Sequence, residues 1–141
     1  MRIQLVTSAW RFQEALPLLL LAFGRLSALP EWQRRYLTDD TTQLWTLNEG
    51  NQLVGIVGMH QTTPQVGELT HIAVNPEHRL RGLGRWLVEG LQRQHPSIAR
   101  WWCETDDDAV AFYRRLGWTA TPVRSPHPGW RPRYRCEGES N

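Results

Sequence analysis

The sequence has no lysine, only two cysteines and no long apolar segment. Cys103 and Cys136 lack the paired spacing of a zinc site or a disulfide framework, so we expect reduced thiols and no bound metal. The longest apolar run, residues 16–23, is broken by Pro17 and falls well short of the ~20 residues that cross a membrane. No charged leader followed by an apolar stretch and a cleavage site opens the chain. We therefore predict a cytoplasmic location without membrane contact.

Positive charge is present but weak. All sixteen basic side chains are arginines, and the net charge is only +2. Three of the arginines near the C-terminus would line one face of an alternating strand and could follow a phosphate backbone. The late arginines are Arg124, Arg131, Arg133 and Arg135. The small overall excess of charge argues against a nucleic-acid partner, and the sequence leaves open whether the chain forms a homodimer.

The hydrophobic patterns predict one α/β domain over residues 1–141, a length that can bury a core. Strands are predicted over residues 2–6, 42–47, 53–60, 66–74, 98–103, 118–123 and 134–136. Helices are predicted over residues 10–24, 31–37, 83–94 and 109–116, with Ser8 as the first N-cap and Gly117 as the last stop. This order predicts a mixed α/β fold on a single sheet.

A glycine-rich loop joins the strand that ends at Val74 to the helix that begins at about Leu83. Its glycines allow the backbone to approach a ligand closely, and the helix start adds unpaired N–H groups, which together suit a pyrophosphate. Arg79, Arg81 and Arg85 would add charge-assisted contacts. An ordinary strand-to-helix turn with solvated arginines is the alternative. The spacing fits neither a Walker nor a Rossmann loop, which argues against ATP and NAD.

The loop reads Arg-x-x-Gly-x-Gly after Val-x-Pro, and in this form it resembles the acetyl-CoA loop of the GNAT acetyltransferase superfamily. Residues 106–118, DDDAVAFYRRLGW, are similar to that family's Asn-x-x-Ala-x-x-Phe-Tyr-x-Lys-x-Gly-Phe segment. The two motifs cover about residues 66–118, and the order of elements agrees over the whole chain. Asp106, Arg115 and Trp118 depart from the family's usual Asn, Lys and Phe, which leaves it open whether Asp106 contacts CoA or caps the helix.

The resemblance implies a mostly antiparallel, twisted sheet of about seven strands flanked by about four helices, with acetyl-CoA as co-substrate. It also implies that the pantetheine arm adds to the open edge of the strand before the loop, where one amide polarises the thioester carbonyl. The residues expected to bind acetyl-CoA are Ile72, Ala73, Val74, Arg79, Leu80, Arg81, Gly82, Leu83, Gly84, Arg85, Asp106, Tyr113 and Arg115. For Arg115, a solvent-exposed position on the helix is an equal alternative.

Acyl transfer to an amine requires one group to deprotonate the ammonium and another to protonate the leaving thiolate. Tyr113 matches the tyrosine of the family's Phe-Tyr pair and is the expected acid, although core packing is the alternative. Glu68 is the first candidate base and Glu104 the second, directly or through water. His71 is third, because strand alternation predicts that Glu68, Thr70 and Ile72 share one face and that His71 lies on the other.

The acceptor pocket is expected to include aromatic side chains from the second helix and the last loop: Trp32, Tyr36 and Trp130. Together with nearby carboxylates they would suit a cationic amine, although core packing is equally consistent with these residues. The predicted function is direct acetylation of a primary amine of a small molecule. Two alternatives remain: acetylation of a protein N-terminus or lysine, and a non-catalytic module that binds acetyl-CoA. The absence of lysine is consistent with avoidance of self-acetylation or with a simple preference for arginine.

Overall fold

A computed structural model describes residues 1–79, 81–124, 129 and 131–140. Seven strands lie in chain order at β1 (Arg2–Leu5), β2 (Thr42–Glu49), β3 (Gln52–Thr63), β4 (Val66–Val74), β5 (Arg100–Asp106), β6 (Thr119–Val123) and β7 (Arg133–Glu139). The α-helices are α1 (Ala9–Ala22), α2 (Leu29–Thr38), α3 (Leu83–Gln94) and α4 (Val110–Arg115). The predicted mixed α/β fold is confirmed. In the described part of the chain, no helix is long and apolar enough to cross a membrane.

The strands form one sheet in the order β1-β2-β3-β4-β5-β7-β6. Every neighbouring pair is antiparallel except β4 and β5, which are parallel and joined through α3. The parallel pair also has the fewest paired residues, with three pairs against seven between β5 and β7. The centre of the sheet therefore holds its least complete pairing.

Two apolar clusters cover the two faces of the sheet. On the α3/α4 face, Leu87 and Leu91 of α3 and Val110 of α4 pack against the sheet around the fully buried Trp101. On the α1/α2 face, residues such as Phe12 of α1 pack against the inner strands. The apolar sides of α1 and α2 thus cover one face of the sheet, and those of α3 and α4 cover the other.

Local signals set the helix ends largely as predicted. Ser8 accepts a hydrogen bond from the N–H of Arg11 and caps α1. Gly117 has a φ of +90° after α4, where the N–H of Trp118 bonds back to the carbonyl of Tyr113, as in a Schellman motif. Strand β5 begins two residues later than predicted, because Ile98 closes a turn on the carbonyl of His95 instead of pairing in the sheet.

Candidate functional site

The central feature of the site is a fork between β4 and β5. The two strands pair only from Val66 with Arg100 to Glu68 with Trp102, and after this β4 continues beside β3 while β5 continues beside β7. From Leu69 to Val74 the β5-facing edge of β4 has no strand partner among the described residues. Its outward N–H and C=O groups can therefore bond an extended ligand. The predicted backbone positions Ile72, Ala73 and Val74 lie on this edge.

A β-bulge in β4 changes which side chains share a face. His71 pairs with Gly58, but Leu69 pairs with the next residue of β3, Met59, so Thr70 is an extra residue in the strand. Ile72 consequently packs in the α3/α4 cluster together with Leu69. The prediction that Glu68, Thr70 and Ile72 share a face opposite His71 is therefore wrong. Glu68 pairs with His60 one step beyond Met59, and it lies on the α1/α2 face with His71.

A hydrogen-bonded group from α2 and β4 lies on the α1/α2 face of the fork. The hydroxyl of Tyr36 is bonded to Oγ1 of Thr70 and lies 2.6 Å from Nδ1 of His71. Burial raises the pKa of Tyr36, and burial together with the charge of Arg35 lowers the pKa of His71 to about 4. Both rings are therefore neutral near pH 7. Gly58 makes this contact possible, because a Cβ there would collide with the Tyr36 hydroxyl.

The two predicted base candidates lie near each other on the same face. Glu68 is half-buried at the last paired step of the fork, whereas Glu104 is exposed on β5. Burial raises the pKa of the Glu68 carboxyl above its ordinary value, and the charge of Glu104 adds to the rise. Positive charge opposes this rise and comes from His60, Arg35 and Arg135. The pKa of Glu68 is thus set by burial and a nearby carboxylate, which raise it, and by three nearby cationic groups, which lower it.

Tyr113 reaches the fork from the opposite, α3/α4 face. Its ring is 5% exposed and packs on Trp118, with ring centres 5.4 Å apart. Its hydroxyl meets the thiol of Cys103, the residue that follows the last β4 partner on β5. Burial raises the pKa of Tyr113, and the contact with Cys103 adds to this. Cys136 lies directly opposite Cys103 on β7, and both thiols are free in this structure.

The loop before α3 presents backbone amides and arginines. Gly82 adopts a φ of +74° as the N-cap residue, a conformation that favours glycine, and no carboxylate lies in the first turn. Arg81 is bound to Glu49 at 2.9 Å, and Arg85 donates to the carbonyl of Arg115 at 2.7 Å. Two further predicted residues of the loop, Arg79 and Gly82, are exposed, and Leu80 lies outside the described residues.

Two loop residues have packing roles. The side chain of Leu83 is buried in the core, so only its backbone is available to a ligand. A Cβ on Gly84 would lie 2.7 Å from the ring of Phe112, so Gly84 allows α3 and α4 to approach closely. The start of α3 is therefore packed against both the core and α4.

The remaining predicted residues fall into two groups. Asp106 accepts hydrogen bonds from the N–H groups of Asp108 and Ala109 and acts as a cap before α4, while Arg115 is exposed. Trp32 is half-buried beside Tyr36, and its ring centre lies 4.6 Å from that of His71; its role in an acceptor wall stays a prediction. The third predicted wall residue, Trp130, lies outside the described residues. The described ranges contain no cluster of His, Cys, Asp and Glu that could hold a metal.

Three residues of the fork were not identified from the sequence: Thr70, Arg35 and Trp102. Thr70 belongs to the bulge, and the two others form part of cation–π stacks on the α1/α2 face. A signal for Thr70 did exist, because a glycine within a strand, here Gly58, marks a site where another group approaches the backbone.

Comparisons with known proteins agree with this geometry. The model of the Acetyltransferase (GNAT) family matches residues 9–118. An uncharacterized N-acetyltransferase from the lysA 3′ region of Bacillus methanolicus is 31% identical over 85 residues, which cover 54% of this chain and 71% of that protein. The PanD regulatory factor of Salmonella typhimurium is 32% identical over 110 residues, 74% of this chain and 82% of that protein. A GNAT family acetyltransferase from Elizabethkingia anophelis, solved with acetyl-CoA bound, superposes with a TM-score of 0.76 at 15% identity and covers 98% of this chain and 97% of its own.

Proposed function

The chain belongs to the GNAT family of acetyltransferases, and we propose that it transfers an acetyl group from acetyl-CoA directly to a primary amine of a small molecule. The observation that carries this proposal is the fork between β4 and β5, at which Tyr113 and Glu68 arrive from opposite faces of the sheet. One face thus offers a protonated phenol and the other a carboxyl of raised pKa, which is the pair of groups that amine acylation requires.

The residues of this chain fit the co-substrate. The open edge of Ile72–Val74 suits the amides of an extended arm, and the N-terminus of α3 suits a pyrophosphate because its dipole is positive and its first turn lacks a carboxylate. Arg79 and Arg81 add positive charge in the loop, and Arg85 adds it in the helix. We propose that these groups hold acetyl-CoA with its thioester at the fork.

Acetyl-CoA supplies an acetyl group that is activated as a thioester. Glu68 accepts a proton from the ammonium of the acceptor, and the free amine then attacks. Tyr113 donates its phenolic proton to the departing sulfur, and the second proton of the amine nitrogen returns to Tyr113 through water. A backbone N–H of the open edge of β4 donates to the acetyl oxygen while negative charge develops there. The step forms one amide and one thiol and leaves one proton on Glu68.

Glu68 is favoured over His71 as the base for a physical reason. Burial moves the pKa of Glu68 upward, toward neutral pH, and moves that of His71 downward to about 4. A base is most effective when its pKa lies near the working pH. His71 also holds a hydrogen bond to Tyr36, so it acts in this proposal as part of the pocket wall.

The test combines CoA release with acetyl-CoA affinity measured by calorimetry. The amine panel contains polyamines, aminoglycosides, amino acids and short peptides. We expect Tyr113→Phe to lower turnover by roughly 10²-fold, the scale of one general acid, while it leaves affinity within a few-fold. Gly82→Asp is expected to lower affinity by roughly 10²-fold, because a carboxylate then faces the pyrophosphate. Tyr134→Phe, on β7, is the matched control and should behave as wild type.

Each outcome decides one part of the proposal. Full turnover by Tyr113→Phe would make this ring a packing residue and leave the thiolate to be protonated by water. Unchanged affinity in Gly82→Asp would remove the loop from the binding site. Turnover of peptides alone would replace the small-molecule acceptor by a protein.

A second candidate is a regulatory protein that binds acetyl-CoA without transferring it. The observation in its favour is that one relative, 32% identical over 74% of this chain, is named a regulatory factor of PanD. In that case acetyl-CoA binds with the same dependence on Gly82, but no amine is acetylated and Tyr113→Phe changes nothing. The same calorimetry and CoA-release assays separate the two candidates.

A further inference from the structure

Two arginines lie on tryptophan rings on the α1/α2 face of the fork. The guanidinium carbon of Arg35, on α2, lies 4.1 Å from the ring centre of Trp32, and that of Arg135, on β7, lies 4.1 Å from the ring centre of Trp102. Trp102 is the partner of Glu68 at the last paired step of the fork. Arg35 adjoins Tyr36, whose hydroxyl bonds to Thr70 of β4, so the first stack lies on the same face of the sheet as Glu68.

Stacking leaves the polar edge of a guanidinium available. When a guanidinium stacks on an aromatic ring, its N–H donors stay available in the plane of the group, in the geometry that binds a carboxylate through two parallel hydrogen bonds. Arg35 is half-buried and makes no ion pair with any carboxylate in the described ranges, whereas its neighbour Arg34 is paired with Glu31. Arg135 gives its Nε–H to Glu137 at 2.7 Å. Arg35 is thus better placed than Arg135 to bind an anion.

The charges on this face nearly balance. Glu68, Glu104 and Glu137 carry negative charge, and Arg35 and Arg135 carry positive charge. A diamine or polyamine would bring a second positive charge toward Arg35. A zwitterion matches both signs, because its ammonium faces the carboxylates while its own carboxylate faces the arginine.

We propose that the acceptor is an amino acid, or another small amine with a carboxylate close to the amine, and that Arg35 binds this carboxylate while Glu68 receives the ammonium proton. This inference rests on the proposed acetyltransferase function. Arg35 is a specificity-determining residue, and Arg135 supports it from the other side.

The test compares free amino acids with their primary amides as acceptors. Each pair differs only in the carboxylate, and the amide has the less basic amine, so a preference for the acid cannot come from a larger supply of free base. We expect wild-type kcat/KM to be at least tenfold higher for the acids, as one charge-assisted pair implies. Arg35→Gln should remove this preference mainly through KM, so that the acid and the amide of each pair become equivalent acceptors. Arg34→Gln, one residue away and exposed, is the matched control and should retain it.

The outcomes separate this inference from the proposed function. Wild-type protein that acetylates amides or diamines as well as amino acids would overturn the inference and leave the acetyltransferase proposal standing. A preference for acids that survives in Arg35→Gln would overturn the role of Arg35. If acetyl-CoA binds but no amine is acetylated, the proposed function fails, and calorimetric titration of amino acids into the CoA complex of wild type and Arg35→Gln then decides the inference by itself.

Discussion

The two faces of the sheet meet at the same fork but have opposite chemical character there. On the α3/α4 face, Tyr113, Cys103 and Cys136 are buried together, and burial raises the pKa of all three. On the α1/α2 face, Glu68 and Arg35 carry charge beside neutral, hydrogen-bonded rings. The two diverging strands therefore separate a face whose buried groups stay protonated from a face whose side chains carry charge.

This difference suits a reaction in which two partners approach from two sides. A leaving sulfur benefits from a donor that stays protonated, which an apolar environment secures. An acceptor that arrives as an ammonium benefits from a solvated carboxyl and from counter-charges that fix its orientation. The predictions below test whether the two faces really behave differently, beginning with the largest effect.

The strongest expected contrast is the pH dependence of stability due to His71. Its pKa of about 4 in the fold lies below the ordinary 6.5, so the unfolded chain binds the proton more readily. The stabilisation is therefore complete above pH 6.5 and is lost as the pH falls toward 4, by about 3 kcal/mol in total. Urea unfolding at pH 7 and pH 5 should show a smaller loss for His71→Gln than for wild type. Equal losses would mean that His71 is not held neutral by the fold.

Two glycines of β3 allow a direct comparison of the faces. Gly58→Ala would force the Tyr36 hydroxyl away from Thr70, with an expected cost of about 1–3 kcal/mol, since a rigid ring cannot yield. Gly55→Ala meets Cδ1 of Leu87 at 2.9 Å and the carbonyl oxygen of Ala73 at 3.3 Å on the α3/α4 face, and it should cost less because the closer contact is with a leucine that can rotate. Chemical denaturation of both variants measures the difference. A double variant with Tyr36→Phe should recover part of the loss in Gly58→Ala and none in Gly55→Ala.

The smallest effect is expected at Cys103. Cys103→Ser retains a polar partner for the Tyr113 hydroxyl, so stability should fall by about 1 kcal/mol and turnover should be nearly unchanged. Cys103→Ala removes that partner and should reduce turnover more than the serine variant does. Activity assays with acetyl-CoA affinity as the control give the answer. Loss of turnover in Cys103→Ser with intact affinity would indicate transfer through a covalent thioester on the enzyme.

The sequence was sufficient for the parts of the fold that local signals determine. Strand β4 and helix α3 have the predicted bounds, because Asn75-Pro76 ends one and Pro96 follows the other. The bulge at Thr70 leaves no periodic trace in β4, because it arises from pairing with β3, and its sequence signal is Gly58 on that strand. Arg35 stacks on Trp32 through a local contact within α2, but its position near the fork depends on how α2 packs across the sheet. Local pattern thus located the strand that forms the site but not the faces on which its side chains lie.

The three residue pairs between β4 and β5 make the sheet a structure with a seam. Strands β1 to β4 form one block and β5, β7 and β6 the other, and in the described residues the backbone bonding between β4 and β5 is confined to Gln65–Glu68 and their partners. A ligand that lies along the open edge bonds to the first block and fills the gap beside the second. The bound ligand therefore bridges the two blocks and stabilises their arrangement. Amide hydrogens along Leu69–Val74 should exchange with solvent more slowly once the ligand is bound. The free energy of unfolding should also rise with ligand concentration. The lifetime of this protein in a cell would then follow the supply of the molecule it consumes.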